Sequence, residues 1–191
     1  CNRTATSEMI KVYPLYSLVF CTFLFYLFGF SEQVTHSERD VLLELYSATN
    51  GPHWRNNSHW GFGDPCINEW HGIQCEDGKT GRTISLLTLP RNNLDGTIPN
   101  SLTTLDSLRY VDLSYNSLYG TIPDSIGDFS SLFSLTVAGN LGINGTIPSS
   151  IWNITSLVIL DLSSNSLSGT IPHNIKSNSA LQVLRLFKNA L

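Results

Sequence analysis

Methionine is nearly absent from this 191-residue chain, which carries only Met9. Charge is sparse too: 14 % of residues are charged, the net charge is −4, and like charges never run together. A nucleic-acid binder would show a basic patch or stripe, so that class is disfavoured. The signatures G-x-S-x-G, H-E-x-x-H and a phosphate-binding glycine loop are all missing. No grouping of Ser, Asp and His suggests a nucleophile with its base. The sequence therefore reads as non-enzymatic, with no catalytic residues, no cofactor and no metal. Cysteine is limited to Cys1, Cys21, Cys66 and Cys75. What the chain does have is apolar residues, 41 % of the total, enough to build a packed core rather than a disordered segment.

One uncharged run stands apart. Val12 to Phe30 reads VYPLYSLVFCTFLFYLFGF, preceded by Met9 and Lys11. Taking Met9 as the start gives a short positive segment and an apolar core. Gly29 and Ser31 are then the small residues at −3 and −1 of a cut after Ser31. That is the anatomy of a secretory signal peptide over residues 1–31. The alternative is an uncleaved membrane anchor, because the run is near the ~20 residues that span a bilayer. Either way the remainder is expected in the secretory pathway, outside the cell or on its surface.

Downstream, THSERDVLLELYSATNG predicts a helix capped by Ser37 with Asp40 as its capping-box partner. Val41, Leu42, Leu45 and Tyr46 share one helical face, and Asn50-Gly51-Pro52 stops the helix. A loop-rich stretch with Trp54, Trp60 and Trp70 follows. From Arg82 the chain repeats itself. Aligned on one asparagine, the copies fall at Asn92, Asn116, Asn140, Asn165 and Asn189, with spacings of 24, 24, 25 and 24. A period in this range with the template L-x-x-L-x-L-x-x-N-x-L is that of leucine-rich repeats. The third copy holds one extra residue, and Ile143 is expected to fill its inward position.

Each L-x-L has period two, so its leucines point to one side of a short strand. Stacked copies would form a parallel sheet. A single copy cannot offset its ordering entropy, and the deficit closes only when neighbours bury both faces of each coil. The repeated asparagines are expected to form a ladder that satisfies backbone groups at the bend. Gly96, Gly120, Gly145 and Gly169 permit a turn, and the Pro of each Ile-Pro suits a back-face segment. The result is an α/β repeat solenoid with a parallel β-sheet on its concave face.

These residues resemble a known family. LxxNxLxGTIPxS is similar to the plant-type leucine-rich repeat, and ERDVLLELYSATNGPHW with PCINEWHGIQCE resembles the helical cap that precedes such repeats in receptor-like kinases, receptor-like proteins and polygalacturonase inhibitors. The resemblance implies a cap at 32–81, with Trp70, Gly72 and the Cys66 and Cys75 pair in the cap's roles. About 4.5 repeats follow at 82–101, 102–125, 126–150, 151–174 and 175–191. It also implies a recognition module for a protein or peptide ligand, with a co-receptor as a further partner. The membrane would be reached through a downstream span or the N-terminal anchor, and a kinase after Leu191 is compatible with the motif. Alternatives are a secreted inhibitor of a wall-degrading glycosidase, or a structural or adhesive matrix protein.

In a secreted chain Cys66 and Cys75 are expected to form a disulfide. The competing reading is a zinc site using His71 with His53 or His59, although the spacing matches no zinc pattern. Sequons at Asn56, Asn144 and Asn153 are candidate glycan sites, with about two occupied, while Asn2 precedes the presumed start. The outward strand residues form three columns. They run Leu86, Tyr110, Ser134, Ile159, Val183; then Thr88, Asp112, Thr136, Asp161, Arg185; then Pro90, Ser114, Ala138, Ser163, Phe187. Beside them lie Arg109, Phe133, Arg91, Tyr115 and Lys188, and within this set Arg109, Tyr110, Asp112, Tyr115, Phe133, Thr136, Asp161, Arg185 and Phe187 are the candidate ligand-binding residues. The chain stops inside a repeat, so it reads as a fragment whose last coil, with Leu184, Leu186 and Leu191, is expected to fray.

Overall fold

The computed structural model describes residues 36–78, 81–173, 175 and 180–191. The signal-peptide reading, Cys1, Cys21 and the Asn2 sequon lie outside them. Among the described residues no helix is long and apolar enough to cross a membrane.

Helix α1 spans His36–Ala48. It therefore opens before Ser37, which lies in its first turn and not ahead of it, as the capping-box expectation had it. Val41, Leu42 and Leu45 are buried on its inner face. Asn50 ends it in a left-handed conformation (φ 57°), and Gly51–His53 form one 3₁₀ turn. Three tryptophans then build the cap's core around Tyr46. Centroid separations are 5.1 Å for Tyr46–Trp54, 4.8 Å for Trp54–Trp60 and 5.0 Å for Trp60–Trp70. A buried indole N–H needs an acceptor. Trp54, Trp60 and Trp70 donate to the carbonyls of Thr49, His71 and Phe62, each at 2.8 Å. Cys66 and Cys75 are joined in a disulfide (Cα–Cα 5.7 Å) that ties this loop to β1.

Strands β1 (Ile73–Gly78) and β2 (Gly81–Thr88) form an antiparallel pair at the start of the large sheet. Next come β3 (Asp95–Gly96), β4 (Tyr110–Asp112), β5 (Ser117–Thr121), β6 (Ser134–Thr136) and β7 (Gly142–Gly145). The last three are β8 (Ile159–Asp161), β9 (Ser166–Leu167) and β10 (Val183–Arg185). They sort into a six-stranded sheet, β1-β2-β4-β6-β8-β10, and a four-stranded one, β3-β5-β7-β9. Beyond the first pair every pairing is parallel. The large sheet is the concave sheet of the solenoid. On the opposite side, Asn100–Thr104, Asp124–Asp128 and Ser149–Asn153 form 3₁₀ turns, each directly after a proline. Proline fits there because its fixed φ starts the turn and no N–H is demanded.

Between the layers one continuous core runs from Val41 to Leu167, with every coil contributing its leucines or isoleucines. Ile143 is buried, while its neighbour Leu141 is exposed, so the extra residue of the third repeat is absorbed as an outward loop. The asparagine ladder is satisfied at both ends of each amide. Asn140 Oδ1 accepts from the N–H groups of Asn116 (3.2 Å) and Leu118 (3.1 Å) in the preceding coil. Its Nδ2 donates to the carbonyls of Leu113 (3.1 Å) and Val137 (3.0 Å). Asn116 repeats the arrangement, and Asn165 and Asn189 repeat it with one accepted N–H each. Asn92 carries it into the cap by exchanging two bonds with the Asn56 backbone, at 2.7 and 2.9 Å.

Two glycines show what their motif is for. Gly96 lies against the Ala48 carbonyl at the end of α1, where a Cβ would overlap it. Its neighbours Asp95 and Thr97 donate their N–H groups to Thr49 and Ala48, giving the helix's last carbonyls partners. Gly145 (φ 77°) instead seats the Thr121 methyl, which would come within 2.9 Å of an added Cβ. Thr97, Thr121 and Thr146 of the first three Gly-Thr-Ile-Pro segments thus rest on the glycine of the following coil, Gly120, Gly145 and Gly169.

Candidate functional site: the concave sheet and its rim

Cross-strand registers place Leu86, Tyr110, Ser134, Ile159 and Val183 in one row, and Thr88, Asp112, Thr136, Asp161 and Arg185 in the next. The third expected row is mostly closed: Ser114, Ala138 and Ser163 are buried, and only Pro90 and Phe187 at its ends are exposed. The parallel ladder continues through these residues, with Arg91, Tyr115 and Gly139 donating to the carbonyls of Ser114, Ala138 and Ser163 at 2.9, 2.7 and 2.9 Å. Tight backbone approach there leaves small side chains little to present.

The candidate residues separate into distinct environments. Tyr110 and Phe133 pair across adjacent coils, centroids 5.6 Å apart, and remain 44 % and 37 % exposed. Beside them Arg109 is held by Glu76 of β1 at 3.2 Å. Asp161 is withdrawn from solvent: it accepts from the Ser163 N–H (3.0 Å) and hydroxyl (2.6 Å) and faces Arg185 at 3.4 Å. Asp112 similarly accepts from the Ser114 N–H at 2.9 Å. These carboxylates hold the bend, so they are poor candidates for ligand contact. Thr136 is half-buried between them, and Phe187 is exposed at the far end.

Arg91, Tyr115 and Lys188, expected beside the columns, share a backbone feature that sequence reasoning missed. The residue just before each ladder asparagine is left-handed: Arg91 (53°), Tyr115 (55°), Gly139 (74°), Ser164 (56°) and Lys188 (56°). Only one is glycine, so composition gave no warning, although the fixed position before the asparagine was available as a signal. Arg91 stacks over Tyr115, its guanidinium carbon 4.2 Å from the ring centroid. Tyr115 in turn lies against Gly139, where a Cβ would come within 2.7 Å of the ring.

At the cap end, His71, Gly72, Ile73, Gln74, Leu86, Thr88 and Pro90 line a shallow groove. The Ser58 backbone N–H donates to Asn56 Oδ1 (3.0 Å), which fixes the amide and turns Asn56 Nδ2 toward His71 Nδ1 (3.1 Å). His71 Nδ1 is therefore the acceptor, and the ring is the Nε2–H tautomer. With both cap sulfurs in the disulfide and no group of three or more ligating side chains among the described residues, the zinc alternative has no donor set.

Family models described as leucine-rich repeat match residues 82–141 and 156–178. In a solved complex of BIR3 and SERK2 from Arabidopsis thaliana, one chain is 32 % identical with a TM-score of 0.70, over 78 % of this chain and 80 % of that one. The chain belongs to the plant-type leucine-rich repeat family. This repeat chain is also 30 % identical, TM-score 0.69, to a chain of the PEPR1–AtPEP1 structure, covering 80 % of itself and 21 % of that chain. A nodulation receptor kinase of Pisum sativum is 39 % identical over 54 residues, 28 % of this chain. The matched stretch spans only 6 % of that kinase's length.

Proposed function

We propose that the chain is an extracellular recognition module, the sensing part of a leucine-rich repeat receptor-like kinase or receptor-like protein, that binds a protein or peptide on its concave sheet. The single observation behind this reading is the exposed Tyr110–Phe133 pair at the centre of a rigid parallel sheet. Large aromatic rings left in solvent on a fixed support are the usual anchors of an interface. The relatives support the reading: one is a receptor kinase, one a complex of two named proteins, and one bears the paired name PEPR1–AtPEP1. On this reading the N-terminal segment directs secretion, glycans decorate the coil, and a co-receptor is a further partner.

The test is to secrete the full chain from eukaryotic cells and pan it against a library of linear peptides with free C termini. Enriched peptides should lose roughly 30-fold or more in affinity when Tyr110 or Phe133 is replaced by alanine. Thr97→Ala, just after β3 and away from the concave sheet, should leave binding unchanged. If no peptide is enriched, or if the aromatic substitutions leave binding untouched, the reading falls. Reduced activity of a wall-degrading glycosidase on adding the chain would favour the inhibitor alternative.

A further inference from the structure

We propose that Asn144 carries a glycan whose first N-acetylglucosamine lies on the exposed ring of Tyr119, so that the chain holds its own glycan against the small four-stranded sheet. The proposal rests on the secretory part of the reading above and on no ligand of the concave sheet.

Asn144-Gly145-Thr146 is a sequon, and Asn144 and Thr146 are both exposed. Asn144 lies on β7, which pairs in parallel with β5: Tyr119 is level with Gly142, and Thr121 with Asn144. Tyr119, Gly142 and Asn144 face solvent, while Leu118 and Ile143 are buried in the core. Gly142 lets the two strands meet, because a Cβ there would come within 2.7 Å of Tyr119 Cβ. The tyrosine is thus rooted against the strand that carries Asn144, two residues or about 6.6 Å along it. No large side chain stands between them. Gly142 has none, and Thr121 and Ser166, level with Asn144 on either side, are short. Asn144 Nδ2 donates to the Gly142 carbonyl at 3.3 Å, which turns the amide nitrogen back toward the Tyr119 end of the strand.

Tyr119 is 52 % exposed, and Leu141, just before Gly142, is 75 % exposed. Arg91 lies over Tyr115, but among the described residues no cation lies over Tyr119. Apolar surface of this kind is stabilised by a cover. One face of an N-acetylglucosamine ring presents C–H groups, which pack on an aromatic face and take apolar area of both out of water. A covalent tether already holds the sugar nearby, so packing costs it little further freedom. In the attachment step Nδ2 loses one proton and bonds to C1 of the terminal sugar of a lipid-diphosphate-linked oligosaccharide. The C1–O bond breaks and the lipid diphosphate leaves with its electron pair. The remaining Nδ2–H still serves the Gly142 carbonyl. Asn153 differs: it ends a back-face 3₁₀ turn, and its neighbours Trp152 and Ile154 are buried and offer no exposed ring.

The full chain is secreted from eukaryotic cells as wild type, Tyr119→Ala, Asn144→Gln and the double variant. Glycopeptide mass spectrometry gives the occupancy of each sequon, and thermal melting gives the effect. Tyr119→Ala should lower Tm by about 2–4 °C when Asn144 carries its glycan, and leave it within about 1 °C in the Asn144→Gln background. Tyr119→Phe should behave as wild type, since the ring and not the hydroxyl forms the shelf. With the acetyl methyl carbons isotopically labelled, the methyl resonance of the Asn144-linked sugar should lie upfield and return on Tyr119→Ala. Where Tyr119→Ala is not secreted, Tyr119→Leu, which keeps bulk without a ring, decides by the same resonance. Equal losses with and without the glycan, or an unshifted methyl, would overturn the inference. So would a bare Asn144 in protein glycosylated at Asn153, which leaves the secretory reading standing. Protein bare at every sequon would remove both.

Discussion

Replacing Asn140 with alanine tests the ladder where it is most enclosed. The side chain is fully buried and holds two N–H donors of the preceding coil and two carbonyls. Alanine leaves the Asn116 and Leu118 N–H groups without acceptors, and each buried unsatisfied group costs about 1–3 kcal/mol. The carbonyls have a second lone pair and lose less. A total of about 3–5 kcal/mol follows, which at 2–4 °C per kcal/mol for a domain of this size lowers Tm by about 10 °C. Differential scanning fluorimetry reads the shift, and amide exchange locates it, since protection at Asn116 and Leu118 should fall first. Asn140→Asp sharpens the test. A protonated aspartate keeps one donor and one acceptor, whereas the carboxylate faces two carbonyls and loses its donor. Burial and those carbonyls raise its folded pKa above the unfolded value, so the variant should be most stable in acid and lose stability as pH rises through the folded value. A Tm change of only a degree or two for alanine, or unchanged exchange at those amides, would refute the reasoning.

Other consequences can be checked alongside. Burial, then the nearby Asp106, raises the pKa of Glu38, with Asp64 adding to the effect and the Ile84 N–H opposing it. Its Oε2 is buried without a hydrogen-bond partner. The folded value thus lies above the unfolded one, and stability present below the usual carboxylate range is lost as pH climbs through the raised value. Glu38→Gln should therefore melt higher than wild type at neutral pH and converge with it in acid. Gly145→Ala combines a positive φ with a Cβ against the Thr121 methyl, and should cost about 1–3 kcal/mol by thermal melting. Thr121→Ser should recover the steric part alone. Glycopeptide mass spectrometry of secreted protein should find glycans at the exposed Asn153 and Asn144 and little at Asn56, whose half-buried amide is engaged with His71 and Ser58.

The parts of this fold that the sequence displays are those where one residue type answers one requirement in every coil. Leucine at fixed offsets gave the core, asparagine the ladder and Ile143 the inward position of the irregular repeat, because no other choice buries or satisfies those places. The small sheet was not legible. Its strands have two to five residues, and three of the four include a glycine, which has no strand preference, so only stacking across coils makes them strands. The closing of the third concave row at Ser114, Ala138 and Ser163 was hidden too. Alternation promises outward side chains there, but the continuing ladder and the bend draw the backbones together.

The rim explains why the backbone at an exposed position can be the hardest to read. A left-handed bend normally announces itself with glycine, since other residues lose about 1 kcal/mol or more in that conformation. In this solenoid the bend is held from both sides. The parallel ladder fixes the N–H of Arg91, Tyr115 and Ser164, and the next residue is an asparagine whose amide binds backbone in its own coil and the one before it. Together these bonds outweigh a cost of that size, so the side chain at the bend is released from any conformational requirement. The position can then hold Arg, Tyr, Gly, Ser or Lys without altering the coil, and it projects them along one exposed edge. A scaffold that makes a position structurally indifferent makes it chemically free. Arg91 over Tyr115 is what this chain has placed there.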